Sequence, residues 1–343
     1  MDFIYLLFII PLFFLLRKLC YVKNFLLDDK SLPHKSKFSN KSVPLLGGVL
    51  ILISFLFIFE INNYYLLILF SGLFFLGLSA DLNYLKSPFT RFFFQFLILF
   101  LFLIYFQFQL SSTKIVILDY LINFRILNIL FCIFCLMVLI NGSNFIDGIN
   151  TFILTNYLII FLILLLLPTS LTIEYLILKK VIFVLFIIYI LNAFELLYLG
   201  DNGSYFLSIF SGIFLIDFYN NNNLLVSPFF IILLLWYPCF ELLFTISRRL
   251  LKKKSSFFPD NLHLHYLLAT FYKNRFNLKK KGSDIFTSLS VGIYNYFIFY
   301  YSINFISRTK NLITIILINI LLYFIIYVFL KNLKMRRKVY KST

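Results

Sequence analysis

The sequence predicts an all-α, polytopic integral membrane protein with about eleven transmembrane helices, its N-terminus outside and its C-terminus cytoplasmic. Three observations carry that expectation. Of the 343 residues, 62% are hydrophobic and only 13% charged, with a mean hydropathy of +0.94. A soluble core cannot absorb that much apolar surface. The apolar residues fall in repeated runs near the ~20 residues that a bilayer crossing requires. The basic residues, finally, are distributed unevenly between alternate loops.

The runs lie at 3–22, 43–60, 64–79, 92–110, 126–142, 152–168, 174–198, 205–217, 226–246, 286–303 and 311–331. The first, within "MDFIYLLFIIPLFFLLRK", has Asp2 in front and Arg17-Lys18 behind. A secretory leader carries its charges in the opposite order, so this reads as a retained span. With the N-terminus outside, the inner segments 17–42, 80–91, 247–288 and 331–341 hold 25 of the 31 basic residues. Only Lys114, Arg125, Lys179, Lys180, Arg308 and Lys310 remain outside. The net charge of +17 is therefore topogenic, with a secondary attraction to anionic membrane lipids, and implies no nucleic acid. One membrane-embedded domain covers 1–343, with long cytoplasmic loops at 23–42 and 247–285. The 48 phenylalanines read as lipid-facing filler. Cys132 and Cys135 form a C-x-x-C without the partners that a zinc or redox site needs.

Against this background, polar residues stand out. "LINGSNFIDGIN" puts Asn141, Asn144, Asp147 and Asn150 at intervals of three, one helix face, at the end of an apolar run. Left unpaired in hydrocarbon, each would cost several kcal/mol. The carboxylates are equally selective. Asp81, Asp147 and Asp201 fall at the expected inner ends of three spans and Asp260 lies in the long inner loop, which is where one site could gather them. "LGDNGSYF" places Asp201 in a glycine-flanked turn before a helix, a setting for Mg²⁺ and phosphate. "PDNLHLH" holds His263 and His265 beside Asp260; the pair is too small for a zinc site but suits a phosphate-facing role. Arg248-Arg249 and Lys252-Lys253-Lys254 anchor a span and would favour a diphosphate nearby. Glu195 and Glu241, embedded in apolar sequence, require partners, through ion pairing or catalysis.

At these residues the chain resembles the polyprenyl-phosphate N-acetylhexosamine-1-phosphate transferases, the WecA/MraY superfamily. "VPLLGGVLI" is similar to the family's Pro-x-x-Gly-Gly stretch, and "GLSADLNYLKSPFTRFFFQ" to its acidic-pair segment. "NGSNFIDGIN" resembles its Asn-x-x-Asn-x-x-Asp-Gly signature, "YLGDNGSYFL" its Gly-Asp motif, and "YPCFELLFTISRR" with "PDNLHLHYLL" its last cytoplasmic loop.

The resemblance implies transfer of a sugar 1-phosphate from a UDP-N-acetylhexosamine to undecaprenyl phosphate, with release of UMP. Such transfer opens cell-surface polysaccharide synthesis, of O-antigen, lipopolysaccharide or cell wall. It implies a Mg²⁺ cofactor for which Mn²⁺ can substitute, and a bacterial inner membrane location with the site facing the cytoplasm. It is compatible with a homodimer. Asp201 would be the principal metal ligand, and Asp81 would support the metal or handle the attacking phosphate. Asn144 and Asp147 would contact the nucleotide-sugar, Asn150 stands at the last position of that signature, and Tyr198 would lie under the uracil. His263 and His265 would meet the phosphates. Asn192 is one residue out of register for a nucleotide contact. Three positions depart from the pattern: Ala80 replaces the first acid of the pair, Asn150 replaces an Asp as in an O-antigen-type subgroup, and Leu45 stands where many relatives have Arg. The competing reading is a transporter or flippase with a coupling-ion site, which would place its acids near the midplane rather than at span ends; a membrane scaffold would need neither LGDNGS nor PDNLHLH.

Overall fold

The computed structural model describes residues 4–28, 42–59, 64–251, 253 and 262–342; Asp260 lies outside them. The described residues are helical, with one isolated bridge between Leu27 and Pro44 as the only extended pairing among them. In chain order the helices are α1 (Ile9–Lys23), α2 (Gly47–Ile58), α3 (Tyr64–Asp81), α4 (Pro88–Tyr105), α5 (Val116–Ile122), α6 (Arg125–Ile146), α7 (Phe152–Leu165) and α8 (Tyr175–Ala193). They continue with α9 (Gly200–Asn221), α10 (Pro228–Leu234), α11 (Trp236–Leu251), α12 (Leu264–Arg275), α13 (Lys280–Ile303) and α14 (Thr309–Ser342).

Every apolar run of the sequence forms a helix, but not every helix is a full span. Among the described residues four helices are long and apolar enough to cross a membrane, Pro88–Tyr105, Arg125–Ile146, Tyr175–Ala193 and Thr309–Lys334. A fifth arises if α10 and α11, bent by 74° at Leu235, are taken as one broken span. Length decides for α2, whose 12 residues extend only ~18 Å at 1.5 Å per residue, short of the ~30 Å hydrocarbon core; α9 and α13, with 22 and 24 residues, fall short in apolar composition instead. The stretch 247–285 is not one loop either. It contains the end of α11, all of α12 and the start of α13.

Local sequence accounts for the boundaries. Ser-Pro opens α4 and α10: Ser87 Oγ accepts the Thr90 N–H, Ser227 Oγ accepts the Phe229 N–H, and proline occupies the first helical position, where its missing N–H costs nothing. The core is built around α9, which packs on α2, α3 and α6. Here the phenylalanines are not filler. Phe55 meets Phe206 and Phe210 edge-on, with centroids 5.0 and 4.7 Å apart, the favoured aromatic geometry. Phe14, Phe57, Phe75 and Phe134 remain on the outer surface, as a lipid-facing role requires.

Candidate active site at the start of helix α9

The stripe at the end of α6 is met by a different element at each step. Asn141 donates Nδ2–H to Gln95 Oε1 of α4 (2.9 Å) and to the Met137 carbonyl (2.8 Å). Asn144 Oδ1 accepts the Ser204 hydroxyl of α9 at 3.3 Å. Asp147 ends α6, its N–H bonded to the Ser143 carbonyl, and faces Tyr266 of α12. Burial raises the Tyr266 phenol to about 12, and the charges of Asp147 and Asp284 add to this. Asn150 donates Nδ2–H to Glu195 Oε1 at 3.3 Å and hydrogen-bonds Tyr198 in the turn before α9. Polar groups that would be costly in hydrocarbon thus tie α6 to its surroundings.

The centre of the site is the N-terminus of α9. Asp81, the last residue of α3, accepts the backbone N–H of Asp201 (3.0 Å) and of Asn202 (2.9 Å) and the Asn202 side-chain amide (2.6 Å). The orphan amides and positive dipole end of the helix favour a carboxylate there. Two glycines allow the approach. Gly200 has φ +77°, and a Cβ on it would come within 2.8 Å of Asp81 Oδ2; a Cβ on Gly77 would come within 2.6 Å of the Asn202 backbone. Asp201 then projects from the first turn and pairs with Arg91 of α4, Nη1 to Oδ2 at 2.7 Å, with side chains 26% and 23% exposed. Tyr205, one turn along, also hydrogen-bonds Arg91.

A second cluster shares this turn of α6. Phe145 lies edge-on to His263 at 5.4 Å and under the Arg249 guanidinium at 5.9 Å. Behind it, Glu241 of α11 is fully buried, taking His263 Nδ1 at 3.0 Å and the Tyr323 hydroxyl of α14 at 2.7 Å. Arg248 Nη1 donates to the Leu262 carbonyl (2.8 Å) and the Tyr327 hydroxyl (2.7 Å). His265 stacks on His263 and lies 3.5 Å from the Tyr237 hydroxyl.

The expected site residues therefore divide. Asp81, Asp201 and Asn144 come together at α9, and Asn150 and Tyr198 come together beside it. His263 and His265 are not the open phosphate-facing pair that their spacing suggested: both are buried, and burial drives the His265 pKa down to about 3, leaving its ring uncharged. Arg248 is likewise engaged with protein acceptors rather than turned to a diphosphate. Asn192 has a structural duty, accepting the Thr151 N–H and donating to the Leu197 carbonyl. Tyr205 and Asp284 were not singled out, and Arg91 and Gln95 entered only as members of the SPFTRFFFQ stretch, with no role assigned. Arg91 and Gln95 had a signal, four residues apart behind a Ser-Pro start; for Asp284 none was available.

As a metal site the cluster is open. Among the described residues no three His, Cys, Asp or Glu side chains are grouped so that they could hold a metal ion. Asn202 Oδ1, although without a hydrogen-bond partner, is packed against Gly48 of α2; the oxygens on hand are the Asp201 carboxylate and Asn144 Oδ1. That set fits a hard cation completed by phosphate oxygens and water, the usual habit of Mg²⁺. Asp81 fits less well as a ligand, since both of its oxygens already serve α9.

Residues 63–219 match the glycosyl transferase family 4 model. The match runs from α3 through α9 and takes in Asp81, Arg91, Asn144, Asp147 and Asp201, while the histidine cluster lies beyond it. No curated protein matches the chain.

Proposed function

We propose that this chain, whose residues 63–219 belong to glycosyl transferase family 4, transfers N-acetylhexosamine 1-phosphate from a UDP-sugar to undecaprenyl phosphate. The observation that carries this reading is the partly exposed Arg91–Asp201 pair standing over an α9 N-terminus that Asp81 holds in place. It offers an exchangeable carboxylate and a guanidinium to a doubly charged phosphate group, at the ends of helices rather than at their middles. The positive-inside bias of the loops supports a cytoplasmic face for that end, and the membrane, on this reading, is a bacterial inner membrane, where the lipid phosphate and the nucleotide-sugar would meet.

The reaction forms one bond from a lipid phosphate oxygen to the β-phosphorus of the UDP-sugar. It breaks the bond from that phosphorus to the bridging oxygen, which leaves with UMP. Phosphoryl transfer of this kind is catalysed by positioning and charge neutralisation more than by covalent help. Asp201 and the amide oxygen of Asn144 would hold Mg²⁺, or Mn²⁺ in its place; when bound, such an ion neutralises the diphosphate. Arg91, released from Asp201 as the anion arrives, balances charge on the phosphates. Asp81 is a positioning residue that fixes the direction of the α9 amides. Asn144, Asp147, Asn150 and Tyr198 line the nucleotide-sugar side, with Arg249 beside them over Phe145. The Glu241–His263–Tyr323 network keeps that layer in place from behind.

The test is direct. Purified protein given UDP-GlcNAc, undecaprenyl phosphate and Mg²⁺ should release UMP, and EDTA should stop it. Absence of UMP across a panel of UDP-sugars, or transport of a substrate without UMP, would overturn the assignment.

A further inference from the structure

Asp284 is a carboxylate that the fold leaves half satisfied. It sits in the second turn of α13, ahead of the apolar run at 286–303, and is 4% exposed in the sense that its neighbours Ser283, Thr287 and Ser288 are also buried. The Asn150 backbone amide hydrogen-bonds it, yet its Oδ2 is buried with no hydrogen-bond partner. An unmet buried carboxylate oxygen is expensive, and packing alone gives no reason to retain it. Burial and the nearby Glu195 raise its pKa to about 7 in spite of Lys280 and Lys273. Asn150, whose backbone amide bonds Asp284, also hydrogen-bonds the Tyr198 phenol through its side chain, so the carboxyl lies one residue away from that ring. Glu195, which accepts the Asn150 side-chain amide, is only partly buried, so this corner of the fold is open to solvent on the Glu195 side.

We propose that Asp284 is a specificity-determining residue whose free oxygen accepts the single ring N–H of the uracil, N3–H, when the base lies against Tyr198. The inference rests on the transferase reading for the presence of a uridine nucleotide. A site built to take a substrate N–H discriminates strongly against an analogue lacking it. The residue belongs to α13, far outside the matched segment, and lies 134 positions from Asn150, so no local motif announces it.

Binding of UMP and of 3-methyluridine 5′-monophosphate to detergent-purified protein, read by calorimetry, separates the outcomes. The wild type should prefer UMP by about tenfold or more. Asp284→Ala should shrink that preference to less than about threefold. Asp284→Asn should do the same, because the Asn150 amide claims the remaining carbonyl oxygen and leaves an NH₂ where Oδ2 stood. Asp284→Asn keeps an acceptor for the Asn150 amide and should melt close to the wild type, whereas Asp284→Ala gives up that bond and should melt somewhat lower while still folding. An unchanged preference in either folded variant would overturn the role of Asp284 while leaving UMP binding, and the transferase reading, in place. A wild type that binds no UMP would overturn both.

Discussion

Two acid–base pairs lie on either side of the last turn of α6, and they differ in exposure. Asp201 and Arg91 are 26% and 23% exposed, whereas Glu241 and His263 are 0% and 6% exposed. The first pair is set by a helix start and is open on one side, so water and a ligand can compete for each partner. The second is closed in by Tyr323, Thr245 and Phe145, and nothing can exchange there without unpacking α11, α12 and α14. Open pairs contribute little stability and are available for chemistry. Sealed pairs contribute architecture, because removing one partner leaves the other buried and unmet.

Substitutions can break this contrast, the largest expected effect first. Glu241→Ala should destabilise the protein by about 3–5 kcal/mol, seen as a lower melting temperature in detergent. An unshifted melting curve would mean that the pair is not sealed. Asp81→Ala should cost about 0.5–2 kcal/mol through loss of the α9 cap, together with a fall in UMP release from misdirected α9 amides. A variant with normal turnover would show that the cap is dispensable. Tyr323→Phe, which deletes one hydrogen bond to Glu241, should cost about 1 kcal/mol and leave the KM for the UDP-sugar unchanged; a raised KM would make the sealed network part of the binding surface.

The same contrast explains what could be read from the chain alone. The stripe at 141–150 and the acids at 81, 147 and 201 were legible because a polar group in an apolar run is rare and needs a partner. The identity of the partners was not. Arg91 and Asp201 are 110 residues apart, Asp81 and Asn202 are 121 apart, and only the packing of α3 and α4 against α9 brings them into contact. His263 and His265 were legible as a motif, but their burial was not, because spacing carries no information about it. The apolar runs located the helices, but span length depends on where a helix breaks. The 74° bend at Leu235 separates α10 from α11 within one continuous run, and helix α12 forms in a stretch too polar to draw notice. Asp284 was invisible for a simpler reason: an acid among lysines at a helix start looks like an ordinary exposed residue, and only the fold buries it.

The claim on which the account turns is that the exposed carboxylate at the head of α9 does chemistry rather than support. UMP release by Asp201→Asn, measured at a temperature where the variant is fully folded, tests it most directly. The account predicts a loss of about 10²–10³-fold in turnover, as for removal of a key electrostatic group, with the melting temperature unchanged. Wild-type turnover in that variant would contradict it.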